Sequence, residues 1–158
     1  MAGSFFLVRH GRYDRQTSGL TNEGREIDAP RALSTLLAKG LGQGAVVLSS
    51  SAPRALQTAE IIAAGLSSEV ISSRLIEDGG NDVGGVRDLD ELVGRALSQA
   101  QAKPLDDNGL VVVTHAPMVA VAMGVHPFRD VDNMDFGKVA EYQVGTWTNP
   151  HFRPSEEI

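Results

Sequence analysis

No cysteine occurs among the 158 residues, which excludes disulfides and every thiolate metal site. That absence is compatible with a reducing compartment, and a cytoplasmic location is the expectation. No apolar stretch approaches the length of a membrane span. The run Phe5-Phe6-Leu7-Val8 is too short for the apolar region of a signal peptide, and Arg9 ends it. No long basic run offsets a formal charge of −6 and a pI near 5.1, which opposes broad nucleic-acid or anionic-membrane binding, so any anion site must be local.

Several motifs are missing as well. Gly79-Gly80 and Gly84-Gly85 are not followed by Gly-Lys-Ser/Thr and form no Gly-x-Gly-x-x-Gly, so they read as a flexible loop rather than a nucleotide cradle. Gly-x-Ser-x-Gly and His-Glu-x-x-His are absent, which removes serine-hydrolase and zincin readings. Asp130, Asp132 and Asp135 lack the glycine and glutamate of a calcium loop and read as a solvated acidic loop. His126 and His151, each beside a proline, read as turn or surface histidines.

What is present fits one domain over residues 1–158, since 42% hydrophobic content supports a sizeable core in a chain too short for two ordinary domains. Three short apolar runs, Phe5 to Val8, Ala45 to Leu48 and Leu110 to Val113, are bounded by turn residues and separated by helical stretches. That pattern predicts buried parallel strands. Arg9-His10-Gly11 follows the first, Ser49 to Ala59 with Arg54 follows the second, and Thr114-His115-Ala116-Pro117 follows the third. Open α/β sheets bind ligands beyond the carboxyl ends of their strands, so His10, Arg54 and His115 are expected in one crevice.

Between these runs a loop over Arg12 to Ser18 leads to a helix from an N-cap at Thr21 to about Lys39, with Ile27, Leu33, Leu36 and Leu37 on one face. Gly40 supplies its stop, and Pro30 makes a kink possible. A second helix starts around Ser51-Ala52-Pro53 and ends near Gly65. A short strand over Glu69 to Ser72, a glycine-rich loop over Glu77 to Gly85, and helices over about Leu89 to Ala102 and Pro117 to Gly124 complete the pattern. Partial alternation of Val139, Tyr142, Val144 and Trp147 predicts a final, antiparallel edge strand. His151 to Ile158 reads as a loosely held terminus.

On Arg9-His10-Gly11, the segment Ser51 to Thr58 with Arg54-Ala55-Leu56-Gln57-Thr58, and Thr114-His115, nearly the whole chain resembles the histidine phosphatase superfamily, the phosphoglycerate-mutase-like proteins. The resemblance implies a three-layer α/β/α fold with a mostly parallel central sheet and helices on both faces. Within the superfamily, the short length and the His115-Ala116-Pro117 turn resemble the SixA-type phosphohistidine phosphatases. The Arg-His-Gly-Arg-Tyr opening and the Glu77 segment resemble the mutase-like protein serine/threonine phosphatases.

The implied activity is a metal-independent phosphatase with no cofactor. His10 would be the nucleophile through a neutral ring nitrogen, its other nitrogen donating to a fixed carbonyl that a turn at Gly11 can supply. Arg9 and Arg54 would hold the phosphoryl oxygens and depress the imidazole pKa, and His115 would donate to the transferred group. Arg74-Leu75-Ile76-Glu77 resembles the family's acidic segment, so Glu77 is assigned as general acid and later base, with Asp78 as its rival. Gln16 stands where many relatives place a phosphate-binding asparagine. Arg12 replaces a residue often acidic in the mutases and is read as extending the positive pocket.

The expected partner is a phosphorylated protein or a small phosphorylated metabolite, with neither nucleic acid nor membrane. Nothing in the sequence sets an oligomeric state. A mutase is the nearest alternative, but the short stretch between Glu77 and His115 leaves little chain for the closed cover a mutase needs. A non-catalytic phosphate-binding module is the other alternative, and it sits poorly with a full set of two histidines and two arginines.

Overall fold

The computed structural model describes residues 4–76, 89–100, 109–124 and 134–143. Its strands are β1 (Ser4–Arg9), β2 (Val46–Ser50), β3 (Val70–Ser73), β4 (Leu110–Thr114) and β5 (Val139–Gln143). They form one sheet in the order β3-β2-β4-β1-β5. The first four run parallel, with Val112 of β4 opposite both Leu7 of β1 and Leu48 of β2. β5 closes the edge antiparallel to β1, as its alternating pattern predicts.

All five residues of β4 are buried. A strand covered on both faces has no polar side, which is why it reads as an unbroken apolar run. Its side chains divide between two cores: Leu110 and Val112 pack with Phe5, Leu7 and Leu48 on one face, Val111 and Val113 with Val8 and Val47 on the other. Helices α1 (Ala29–Ala38) and α2 (Pro53–Gly65) cover the second face through Ala32, Leu36, Ala55, Ala59 and Ile62. Helices α3 (Leu89–Gln99) and α4 (Ala116–Met123) cover the first through Leu92, Val93, Ala96, Met118 and Val119. This is the expected three-layer α/β/α arrangement.

Thr21 Oγ1 accepts the Gly24 N–H at 3.1 Å, the capping bond its sequence position predicts. The chain then passes through a π turn, Gly24–Asp28, in which the Ala29 N–H reaches back five residues to the Gly24 carbonyl. The wider turn rotates the faces of α1, so the buried stripe is Gly24, Asp28, Ala29, Ala32 and Leu36. Ile27 and Leu37, expected inward, are instead 47% and 48% exposed. Pro30 stands at the second residue of α1, directly after the π turn.

Other boundaries move by small steps. β3 begins at Val70, α3 ends at Gln99, and α4 begins at Ala116 directly after His115. The expected loop over Glu77 to Gly85, the terminus from His151, and Asp130, Asp132, His126, Val144 and Trp147 lie outside the described residues. No helix among the described residues is long and apolar enough to cross a membrane.

Candidate active site

The site grows from the sheet order. β1 and β4 are neighbours with Arg9 opposite Thr114, and the His10 N–H donates to the Thr114 carbonyl at 3.1 Å. The residues just past the two strands therefore emerge together. The rings of His10 and His115 lie 5.3 Å apart between centroids, nearly edge to face. β2 flanks β4 on its other side, and Ser50 at its end places Oγ 2.9 Å from His115 Nε2 while accepting the Ala52 N–H. Arg54 stands in the first turn of α2, just beyond.

His10 is buried, and its Nδ1 lies 3.0 Å from the Gly11 carbonyl oxygen. A carbonyl can only accept, so Nδ1 carries the hydrogen and Nε2 is the unprotonated nitrogen of the neutral ring. Burial above all favours that neutral form. It outweighs the Gly11 bond and, with the positive charge of His115, Arg54 and Arg9, pushes the pKa down to about 3. Gly11 itself is tied down, its N–H donating to Thr58 Oγ1 at 3.0 Å while the Thr58 hydroxyl donates to the Arg54 carbonyl at 2.8 Å.

Both arginines are braced by aromatic rings. The Arg9 guanidinium lies 4.0 Å from the centroid of Phe136 and donates to the Met134 carbonyl. Burial lowers its pKa, opposed in part by Tyr13, Asp135 and Asp28. The Arg54 guanidinium lies 4.7 Å from the centroid of Tyr13 and donates to Ser18 Oγ at 2.9 Å. Ser18 adopts the left-handed region at φ 65°, uncommon for a serine. Tyr13 and Phe136 also approach His10, at 5.2 and 6.0 Å between ring centroids. The result is a cluster of two cations and two imidazoles beside aromatic rings, a combination suited to a compact anion.

The loop after His10 is clamped from behind. Asp28, buried by the π turn, accepts the Arg12 backbone N–H at 2.8 Å and the Arg12 side chain through Nε at 3.0 Å and NH2 at 3.1 Å. Burial raises the Asp28 pKa, but the hydrogen bonds and charge of Arg12, with Arg31, outweigh it and hold the carboxyl below its ordinary range. Arg12, expected to add its charge beside His10, thus pairs with Asp28 through both its backbone N–H and its guanidinium. The approach is close enough to require glycine: a Cβ on Gly24 would lie 2.3 Å from the Arg12 carbonyl oxygen. Gly137, at φ 76°, donates to the Arg9 and His10 carbonyls and would place a Cβ 2.7 Å from the Asp28 carbonyl oxygen.

Of the residues expected at the site, His10, Arg9, Arg54 and His115 come together. Gln16 is exposed, its backbone N–H donating to the Asp14 carboxylate, while Ser18 takes the contact with Arg54. Glu77 and Asp78 lie outside the described residues. Ile76, the residue before Glu77, is buried, and its carbonyl accepts the Thr114 hydroxyl at 3.1 Å. Sequence reasoning misses Tyr13, Ser18, Asp28, Ser50, Thr58 and Phe136. Tyr13 and Thr58 stand within motifs that carry the resemblance but receive no role there, and Asp28 leaves a trace as a carboxylate one residue from Ile27 in an apolar helical pattern.

The model of the histidine phosphatase superfamily, branch 1, matches residues 5–104. No curated protein matches the chain. Among solved structures, a mutant phosphoserine phosphatase from Entamoeba histolytica in complex with phosphoserine is 15% identical, covering 94% of this chain and 97% of that one with a TM-score of 0.59. A mycobacterial glucosyl-3-phosphoglycerate phosphatase is 15% identical over 89% of this chain and 90% of its own, with a TM-score of 0.58. A chain described as phosphohistidine phosphatase SixA from Nakamurella multipartitia is 23% identical over 89% and 84%, with a TM-score of 0.53. At such identities these structures share the fold.

Proposed function

The chain belongs to the histidine phosphatase superfamily, and from that premise we propose that it is a phosphatase working through a phosphorylated His10 without a metal. The observation that carries this reading is the neutral, buried His10 with its Nδ1–H on the Gly11 carbonyl, set beside His115, Arg54 and Arg9. Nε2 attacks phosphorus in line, a nitrogen–phosphorus bond forms and the ester oxygen leaves. That oxygen takes its proton from Glu77 or Asp78, which then accepts one from the water that cleaves the nitrogen–phosphorus bond and releases inorganic phosphate. Arg9, Arg54 and His115 stabilise the charge spread over the transferred group.

The substrate is a phosphorylated protein side chain or a small phosphate ester. Solved structures that share the fold are named for phosphoserine, glucosyl-3-phosphoglycerate and phosphohistidine, all presenting the same phosphoryl group. Incubation with p-nitrophenyl phosphate and a chelator tests the reading. Turnover by the wild-type chain and its loss in His10→Ala are expected. Equal release by both would remove His10 from the mechanism, and no release by either would favour a binding module.

A further inference from the structure

The Gly11–Arg12 peptide group is hydrogen-bonded at both ends. Its carbonyl takes the Nδ1–H of His10 at 3.0 Å, and its N–H donates to Asp28 Oδ2 at 2.8 Å. A carboxylate on an amide N–H shifts electron density toward the amide oxygen, and bonds in such a chain strengthen one another by about 10–30%. A stronger acceptor on Nδ1–H leaves the imidazole more electron-rich and Nε2 the better nucleophile. The π turn sets Asp28 inward at 1% exposure, against the loop that carries this peptide.

We propose that Asp28 is a positioning residue that acts on His10 through the Gly11–Arg12 peptide group, doing across one amide what a carboxylate does directly in an aspartate–histidine pair. The proposal rests on the reading of His10 as nucleophile. Arg12 tempers the effect, because its guanidinium shares the same carboxylate through Nε and NH2. Among the described residues, the charged groups around the relay are few. Asp28 faces Arg12 and Arg31, and Glu23 acts on Arg12. His10 faces His115, Arg54 and Arg9, with Tyr13 against its ring, and Asp135 acts on Arg9.

Asp28→Asn and Arg12→Gln separate a relay from simple architecture, since both break the Arg12–Asp28 ion pair. A purely architectural role moves His10 the same way in both; the relay moves it in opposite directions. The His10 Nδ1–H proton resonance is read by NMR on the full chain at about pH 8, where carboxylates are ionised. The single-turnover rate of His10 phosphorylation by p-nitrophenyl phosphate is measured alongside. In Asp28→Asn the resonance moves upfield and phosphorylation slows about tenfold, the equivalent of roughly one pKa unit at the imidazole. In Arg12→Gln the backbone N–H and the carboxylate remain, so the resonance moves downfield and phosphorylation holds or quickens. Shifts in the same direction, or none, overturn the inference. Should Asp28→Asn not fold, Arg12→Gln decides alone, an unmoved or upfield resonance being the contrary result. Undiminished turnover in His10→Ala would instead bring down the nucleophile reading, which these NMR shifts do not address.

Discussion

His10 follows the first strand and His115 the fourth, yet their imidazoles lie 5.3 Å apart because β1 and β4 are neighbours in the sheet. Two rings so close cannot both be protonated cheaply, and His115 is one of the charges that keep His10 neutral.

If His115 supplies a hydrogen bond to the transferred phosphoryl, His115→Ala lowers kcat by about 10²–10³, the usual consequence of losing one donor to developing charge. Steady-state kinetics with p-nitrophenyl phosphate measure this. A variant as fast as the wild type contradicts the assignment.

Replacing Arg54 by Lys keeps the charge but loses the planar fork that lies over Tyr13 and donates to Ser18. A fall of about tenfold or more in kcat/KM is expected. Tyr13→Leu, which removes the ring beneath the guanidinium together with its edge contact to His10, is expected to cost about 0.5–2 kcal/mol of transition-state stabilisation. Wild-type kcat/KM in both variants would show that Arg54 is not held for catalysis.

His10 also ties stability to acidity. In the unfolded chain it takes up a proton near pH 6.5, in the folded chain only at about pH 3. Between these values the unfolded state binds the extra proton, so stability is fully present above about pH 6.5 and falls as the medium is acidified, by at most about 1.4 kcal/mol per pH unit. Asp28, held low by Arg12, adds its loss only below the ordinary carboxylate value of 3.8. Urea denaturation from about pH 7 to pH 4 should give a shallower slope for His10→Gln than for the wild type. Parallel slopes would mean that His10 titrates alike in both states.

Gly137→Ala is expected to destabilise the chain by about 1–3 kcal/mol, because φ 76° and a Cβ 2.7 Å from the Asp28 carbonyl oxygen both resist a side chain. The same residue bonds the Arg9 and His10 carbonyls, so activity should fall with stability. Thermal and urea denaturation check the first statement; an unshifted midpoint would contradict it.

The sheet was legible because β1, β2 and β4 are buried on both faces and so appear as unbroken apolar runs, and the turn after each carries one reactive group. Helix faces were less so. Ile27 and Leu37 fall on a regular helical stripe, but one extra residue in the turn at Gly24–Asp28 rotates that stripe, and nothing in residue periodicity announces a π turn. The partners of the reactive groups were hidden for another reason. Tyr13, Ser18 and Phe136 acquire their roles by contact with Arg54 and Arg9, across distances along the chain that local pattern does not encode. Arg12 has the sequence position of a further pocket cation, but the buried Asp28 claims it.

Phosphorylation of His10 is tested most directly by trapping the intermediate. The wild-type chain is mixed with p-nitrophenyl phosphate, quenched in alkali within one turnover, and digested for peptide mass analysis, since phosphohistidine survives base and is lost in acid. A single phosphoryl adduct on the peptide containing His10, absent from His10→Ala, is the predicted result. An adduct on another residue, or full turnover by a chain that never carries one, would contradict it.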